Sequence, residues 1–311
     1  MSQVAFLFPG QGSQSVGMLA ELAQQSPLVQ ATFAEASEAA GVDLWEIASV
    51  GPREQLDQTE ITQPVMLAAN ISCWRVWKHL GGPDPQFMAG HSLGEYAALV
   101  AAGRLDFAAA ARLVVQRAHL MQQATPVGTG AMAAILGMED AALEQVCVAA
   151  AQGQVVACAN YNSPGQTVIA GHREAVERAC EAAKSAGAKR ALLLPVSVPS
   201  HCALMQGAAK HLASALSATV VGSSEIHVLH NADVQVHADG PSLRNALAQQ
   251  LWMPVRWTET IASLSARNVN RYFECGPGGI LLGLNKRNAR EAETTALVDL
   301  DAMKKVIAEL N

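Results

Sequence analysis

The stretch that most constrains this chain is MAGHSLGEYAALVAAG, residues 88–103. A short apolar segment, QFMAG (86–90), reads as a strand, and EYAALVAAG (95–103) reads as a helix that stops at glycine. Between them GHSLG (90–94) fits G-x-S-x-G, in which small flanking residues allow a strained strand-to-helix turn. Such a turn pushes the Ser92 hydroxyl into the open, beside backbone N–H groups at a helix N-terminus that are placed to hold an oxyanion. Two readings follow: a nucleophile, or a structural Gly-Ser-Gly turn.

The rest of the chain alternates in the same way. VAFLFPG (4–10) reads as a buried strand entering a Gly-rich turn, followed by a helix. PVMLAANISCWRVWKHL (64–80) and FAAAARLVVQRAHLMQQA (107–124) read as long helices. From 130 the texture changes to strand 130–138, helix 139–151, strand 154–161, strand 166–172, helix 173–187 and strand 189–196. That order is βαββαβ, the ferredoxin-like arrangement. Strands and helices resume with EIHVLHNA (225–232), PSLRNALAQQL (241–251) and RYFECGPGG (271–279). The expected fold is an α/β-hydrolase-like body around a largely parallel sheet. Residues 1–127 and 198–311 form this body, and 128–197 an inserted ferredoxin-like subdomain.

Composition narrows the function. With 50% hydrophobic and 15% charged residues among 311, the chain has material for a large core and too little charge for disorder. No apolar run approaches the ~20 residues of a membrane span, and the N-terminus does not read as a signal peptide. A net charge of −6 argues against nucleic acid as a partner. Six cysteines without a CxxC pair or histidine clustering read as free thiols of a cytoplasmic protein, with no metal site.

A nucleophilic serine needs a base. His91 neighbours Ser92, so its side chain is expected to leave the turn in another direction. His201, in LLLPVSVPSHCALM, sits where a strand ends in a loop stiffened by two prolines, a place to hold a catalytic group. The alternative is a structural loop histidine. Most acids between 92 and 201 (Glu139, Asp140, Glu144, Glu174, Glu177, Glu181) fall on predicted helices of the insertion, and Asp106 merely precedes a helix. None reads as a triad acid, so the pattern suggests a serine–histidine dyad with a neutral acceptor behind the histidine. Arg117 falls in the apolar stripe Ala110, Leu113, Val114, Ala118, Met121. A buried guanidinium demands an anionic partner: an internal acid, or a substrate carboxylate gripped bidentately, as malonyl would offer; the other reading is a side chain that snorkels to solvent. PGQGSQSVGM (9–18) fails both phosphate-loop patterns, but its turn at Gln11 offers a second oxyanion N–H from another strand.

FPGQGSQ, GHSLGEYAAL, VVQRAHLMQ, NYNSPGQTVIAG, PVSVPSHCALM and FECGPGGIL, in this order and spanning nearly the whole chain, resemble the malonyl-CoA:acyl-carrier-protein transacylases of fatty-acid synthesis. The acyltransferase domains of polyketide synthases belong to the same family. The resemblance implies Ser92 as nucleophile, His201 as base, the N–H groups of Gln11 and Leu93 as oxyanion hole, and Arg117 as carboxylate clamp. It also implies that the main-chain carbonyl of Gln250 orients His201 and that Asn160 belongs to the pocket. Malonyl-CoA and holo acyl carrier protein are the implied partners, without metal or other cofactor, and a monomer is the working expectation. Lys189, Arg190, Lys286, Arg287 and Arg290 are candidate contacts for an acidic carrier. Three other readings stay open: a serine thioesterase or esterase, a trans-acting acyltransferase of a polyketide pathway, and a non-catalytic module that binds acyl carriers.

Overall fold

The computed structural model describes residues 3–126, 128–196 and 198–310. Its strands are β1 (Gln3–Phe8), β2 (Phe87–Gly90), β3 (Gly130–Leu136), β4 (Val156–Ser163), β5 (Gln166–His172), β6 (Arg190–Leu193), β7 (His227–Leu229), β8 (Val269–Glu274) and β9 (Glu293–Ala296). One sheet has the order β7-β2-β1-β8-β9 with every neighbouring pair parallel. Parallel strands buried on both faces read as unbroken apolar runs, as FLF and FMAG do. Phe6 of β1 packs edge-on against Trp74 and Trp77 of the helix Thr59–His79, at centroid separations of 5.5 and 5.1 Å. That helix begins at Thr59 rather than at 64, with Pro64 inside it. A proline there forgoes one intrahelical N–H bond, a cost outweighed by the burial of nearly every later side chain between the sheet and neighbouring helices.

The second sheet, β4-β5-β3-β6, is antiparallel throughout, and the helices Asp140–Ala151 and Arg173–Ser185 connect β3 to β4 and β5 to β6. This is the ferredoxin-like arrangement expected from the sequence. Period-two alternation gives the sheet two faces. Ala131, Ala133, Ile135 and Ile169 pack under the two helices, whereas Met132, Val168 and Ala170 turn toward Cys202 of the larger layer. The boundaries expected at 127/128 and 197/198 each include a residue outside the described set, Val127 and Ser197.

The two sheets are stitched beside the serine turn. Val255 donates to Ala159 O and accepts from Tyr161 N, both at 2.9 Å, which adds a one-residue parallel bridge to β4. Ser92 follows β2, the Gln11 turn follows β1 and CGPGG follows β8. All three therefore lie at the carboxyl end of the parallel sheet, with β1 central. That end is where open α/β sheets bind their ligands.

Candidate active site

The serine turn has the geometry that its glycines demand. Ser92 has φ 52°, in the left-handed region that non-glycine residues rarely enter. A methyl on Gly90 would fall 1.9 Å from the Gly94 carbonyl carbon, and one on Gly94 would fall 2.0 Å from the Phe8 oxygen. No larger residue fits either position. His91 N donates to Phe8 O at 2.9 Å, which holds the turn against the end of β1.

Ser92 Oγ lies 2.7 Å from His201 Nε2, and His201 Nδ1 donates to Gln250 O at 2.7 Å. His201 N also donates to Leu251 O at 2.9 Å. Both acceptors belong to the C-terminal end of the helix Gly240–Gln250, where carbonyls lack intrahelical partners and carry the negative end of the helix dipole. The neutral acceptor behind the histidine is therefore partly anionic, and it fixes the tautomer that leaves Nε2 free to take a proton. No acid touches His201 among the described residues. Burial, reinforced by the Arg117 charge, lowers the His201 pKa from 6.5 to about 3. His201 is thus neutral at physiological pH, as a general base must be. His91 turns away to Asn162 Oδ1 (2.8 Å) and the Trp257 ring, as its position in the turn predicts.

Around Ser92 the backbone N–H groups are nearly all committed. Ser92 N donates to Asn231 Oδ1 (2.7 Å), Gly94 N to His91 O (2.9 Å) and Glu95 N to Ser92 O (3.1 Å). Leu93 N has no acceptor among the described residues, and neither does Gln11 N in the facing turn. The two N–H groups expected to hold an oxyanion are therefore not committed to a protein acceptor.

Arg117 is 1% exposed and projects from the helix Phe107–Gln123 toward the serine, with Nη2 3.4 Å from Ser92 Oγ. Its other partners are neutral: Gln63 Oε1 at 2.6 Å and Gln250 Oε1 at 3.0 Å. No carboxylate lies within ion-pair distance among the described residues. The anionic partner demanded by burial is missing, and Nε has no acceptor. Asn160 is buried with Oδ1 unpaired, and it lines the cavity above the serine. That cavity has a volume of about 280 Å³, with Gln11, Ser92, Asn160 and His201 on its polar side and Met132, Leu194 and Ile280 on its apolar wall.

Sequence reasoning missed a polar layer beneath these groups. Glu95, fully buried, accepts from Asn231 N (2.9 Å) and Gln250 Nε2 (2.9 Å) and pairs with His230 Nδ1 at 2.7 Å. Its signal was present: an acid in the otherwise apolar run after GHSLG violates the stripe just as Arg117 does. Gln63, Asn231 and His230 carried no comparable signal.

The acyl transferase domain family matches residues 5–300. A malonyl CoA-acyl carrier protein transacylase of Escherichia coli (strain K12) is 54% identical over 303 residues, covering 97% of this chain and 98% of the relative. Its namesake from Coxiella burnetii, a solved structure, matches with TM-score 0.98 at 51% identity, covering 99% of this chain and 98% of that one. A malonyl-transacylase solved in complex with its type II polyketide acyl-carrier protein matches with TM-score 0.97 at 50% identity, over 99% of this chain and 100% of that one. The chain belongs to the acyl transferase family, among its malonyl CoA-acyl carrier protein transacylases.

Proposed function

We propose that this chain moves malonyl from coenzyme A to the phosphopantetheine thiol of an acyl carrier protein, through a malonyl ester on Ser92. The observation that carries the reading is the hydrogen-bonded Ser92–His201 pair with a buried Arg117, without a carboxylate in ion-pair contact among the described residues, 3.4 Å from the serine oxygen. His201 Nε2 takes the Ser92 proton as Oγ attacks the thioester carbonyl. The oxyanion is held by Gln11 N–H and Leu93 N–H, each contributing about 3 kcal/mol by analogy with other acyl-transfer sites. Collapse of the adduct breaks the C–S bond, and His201 returns its proton to the departing coenzyme A thiolate. The carrier thiol then enters, gives its proton to His201 and attacks the ester, and Ser92 leaves with that proton restored. The thioester supplies the activation, so the cycle needs no metal or other cofactor.

Arg117 answers to the malonyl carboxylate, which replaces its neutral amide partners with a charge-assisted fork. Arg117→Ala is expected to lower malonyl transfer to Ser92 by about 10²-fold, the usual cost of removing one member of a buried charge pair. Acylation by acetyl-CoA, which has no carboxylate, changes less than about threefold. Rapid-quench acylation with the two donors measures both. Equal losses for both donors would remove Arg117 from acyl recognition.

Asn160 lines the cavity and its Oδ1 is an acceptor without a donor among the described residues, which suits an amide N–H of the pantetheine arm. Ile280, which lines the cavity, is exposed, as are Leu192 and Leu193 just before the lining residue Leu194; Lys189, Arg190, Lys286, Arg287 and Arg290, near these segments in the chain, are exposed as well. This pattern supports docking of an acidic carrier there. Charge reversal at Lys189, Arg190, Lys286 and Arg287 should weaken transfer to carrier several-fold and spare Ser92 acylation; equal loss in both steps would move the docking site elsewhere. We place the reaction in the cytoplasm, in keeping with six buried free cysteines. No helix among the described residues is long and apolar enough to cross a membrane.

A further inference from the structure

The active-site groups come from separate parts of the chain, and their mutual position depends on what lies behind them. Gln250 is the shared element. Its carbonyl orients His201, its Oε1 receives Arg117 at 3.0 Å, and its Nε2 donates to Ser92 O at 2.8 Å. An amide has no intrinsic preference between its two ends. Turned over, Gln250 would set an N–H against the Arg117 N–H, and donor would face donor. Arg117 and Ser92 O favour one orientation, and Glu95 completes it, its Oε2 taking the other Nε2 hydrogen at 2.9 Å.

The same oxygen accepts Asn231 N at 2.9 Å. The Asn231 side chain then clamps the strained serine turn from both sides, accepting from Ser92 N and donating to Gly90 O, each at 2.7 Å. His230 Nδ1 closes the arrangement on Oε1 at 2.7 Å. Glu95, Gln250, Asn231 and His230 are all at most 1% exposed, so water does not substitute for a lost bond.

We propose that Glu95 is the positioning residue of this site: one buried carboxylate that sets the Gln250 amide, and through it Arg117, in register with the Ser92 turn. It touches neither substrate nor reacting atoms. Its contribution is acceptor geometry, and it reaches acyl choice through Gln250. This assignment rests on the malonyl-transfer reading above.

The test compares the ratio of malonyl-CoA to acetyl-CoA acylation rates at Ser92 in Glu95→Ala, Glu95→Gln and Glu95→Asp, with folded fraction followed by circular dichroism. A merely structural role lowers both rates together and leaves the ratio fixed. The proposal predicts that the ratio falls at least about tenfold in E95A, where Gln250 Nε2 loses one of its two acceptors and the amide shifts from its place against Arg117. E95Q recovers it to within about threefold, because the glutamine carbonyl oxygen, in the place of Glu95 Oε2, accepts from Asn231 and Gln250 while His230 changes tautomer to accept from the new amide. E95D fails despite keeping its charge, because a carboxylate withdrawn by about 1.5 Å loses bonds of this length. If E95A does not fold, the order E95Q above E95D decides alone. An unchanged ratio in folded E95A, or E95D matching or exceeding E95Q, overturns the assignment while the malonyl reading stands. A wild-type Ser92 that takes no malonyl from coenzyme A removes both.

Discussion

Ser92→Ala abolishes transfer, with the rate expected to fall on the order of 10⁵–10⁶-fold, the range seen when a serine nucleophile is removed. The loss is chemical and not structural. Alanine meets the same left-handed backbone at φ 52° that serine already tolerates, and the turn stays clamped through main-chain atoms by Asn231 and by the Phe8 carbonyl. The variant should therefore unfold within a few degrees of the wild type while forming no acyl adduct. Residual transfer above about 1% of wild type would mean that another group receives the malonyl.

His201→Ala is expected to cost about 10³-fold in Ser92 acylation, within the usual range for a general base. Its pH behaviour is the sharper signature. Burial and the Arg117 charge hold the folded-state pKa near 3, against 6.5 for a free imidazole. The wild-type acylation rate should then stay flat from about pH 5 to 7.5, without the inflection near 6.5 of an ordinary histidine. The alanine variant, left with hydroxide-dependent ionisation of the serine, should gain about tenfold per pH unit. The same shift acts on stability. The unfolded chain binds the extra proton between the two pKa values, so the contribution of neutral His201 is complete above about 6.5 and is lost as pH falls toward 3. Stopped-flow acylation across this range reads the kinetic part; an inflection near 6.5 in the wild type, or a loss below tenfold in the variant, would contradict the assignment.

What the sequence made legible was local. GHSLG between an apolar strand and an alanine-rich helix carries its own steric logic, and the two glycines are the positions where backbone from β1 and from the helix closes in. The βαββαβ order could be read because each element in 130–196 shows its own period and ends at a turn residue. Arg117 was visible as a charge in an apolar stripe. Elsewhere tertiary contacts decided. The segment after β1, read as one helix, is four short ones, Ala20–Gln25, Leu28–Ala40, Leu44–Ser49 and Arg53–Leu56, set by packing against the helix that follows. That helix starts a turn before Pro64, against the usual reading of proline as a boundary. The strand Glu293–Ala296 is a half-exposed edge with little apolar signal. The layer behind the site is the clearest case. Glu95 meets His230 across 135 residues of chain, and Gln250 meets Ser92 across 158, separations that no spacing rule within one element addresses.

The anion expected beside Arg117 is the point where sequence and structure meet most closely. Sequence reasoning required a partner charge; the structure supplies Gln63 and Gln250 instead and keeps Glu95 one residue removed, behind the Gln250 amide. A guanidinium held by neutral acceptors is anchored in place yet still attractive to an incoming carboxylate. This arrangement ties acyl choice to the same helix end that orients the base.

The central claim is a covalent malonyl–serine intermediate whose acceptor is a thiol and not water. Intact mass of the wild-type protein, taken after brief mixing with malonyl-CoA and again after adding holo acyl carrier protein, tests it directly. The account predicts one malonyl added at Ser92, stable over the time of the measurement, then cleared as the same mass appears on the carrier. Free malonate released without carrier, with no adduct accumulating, would contradict it and make the protein a hydrolase.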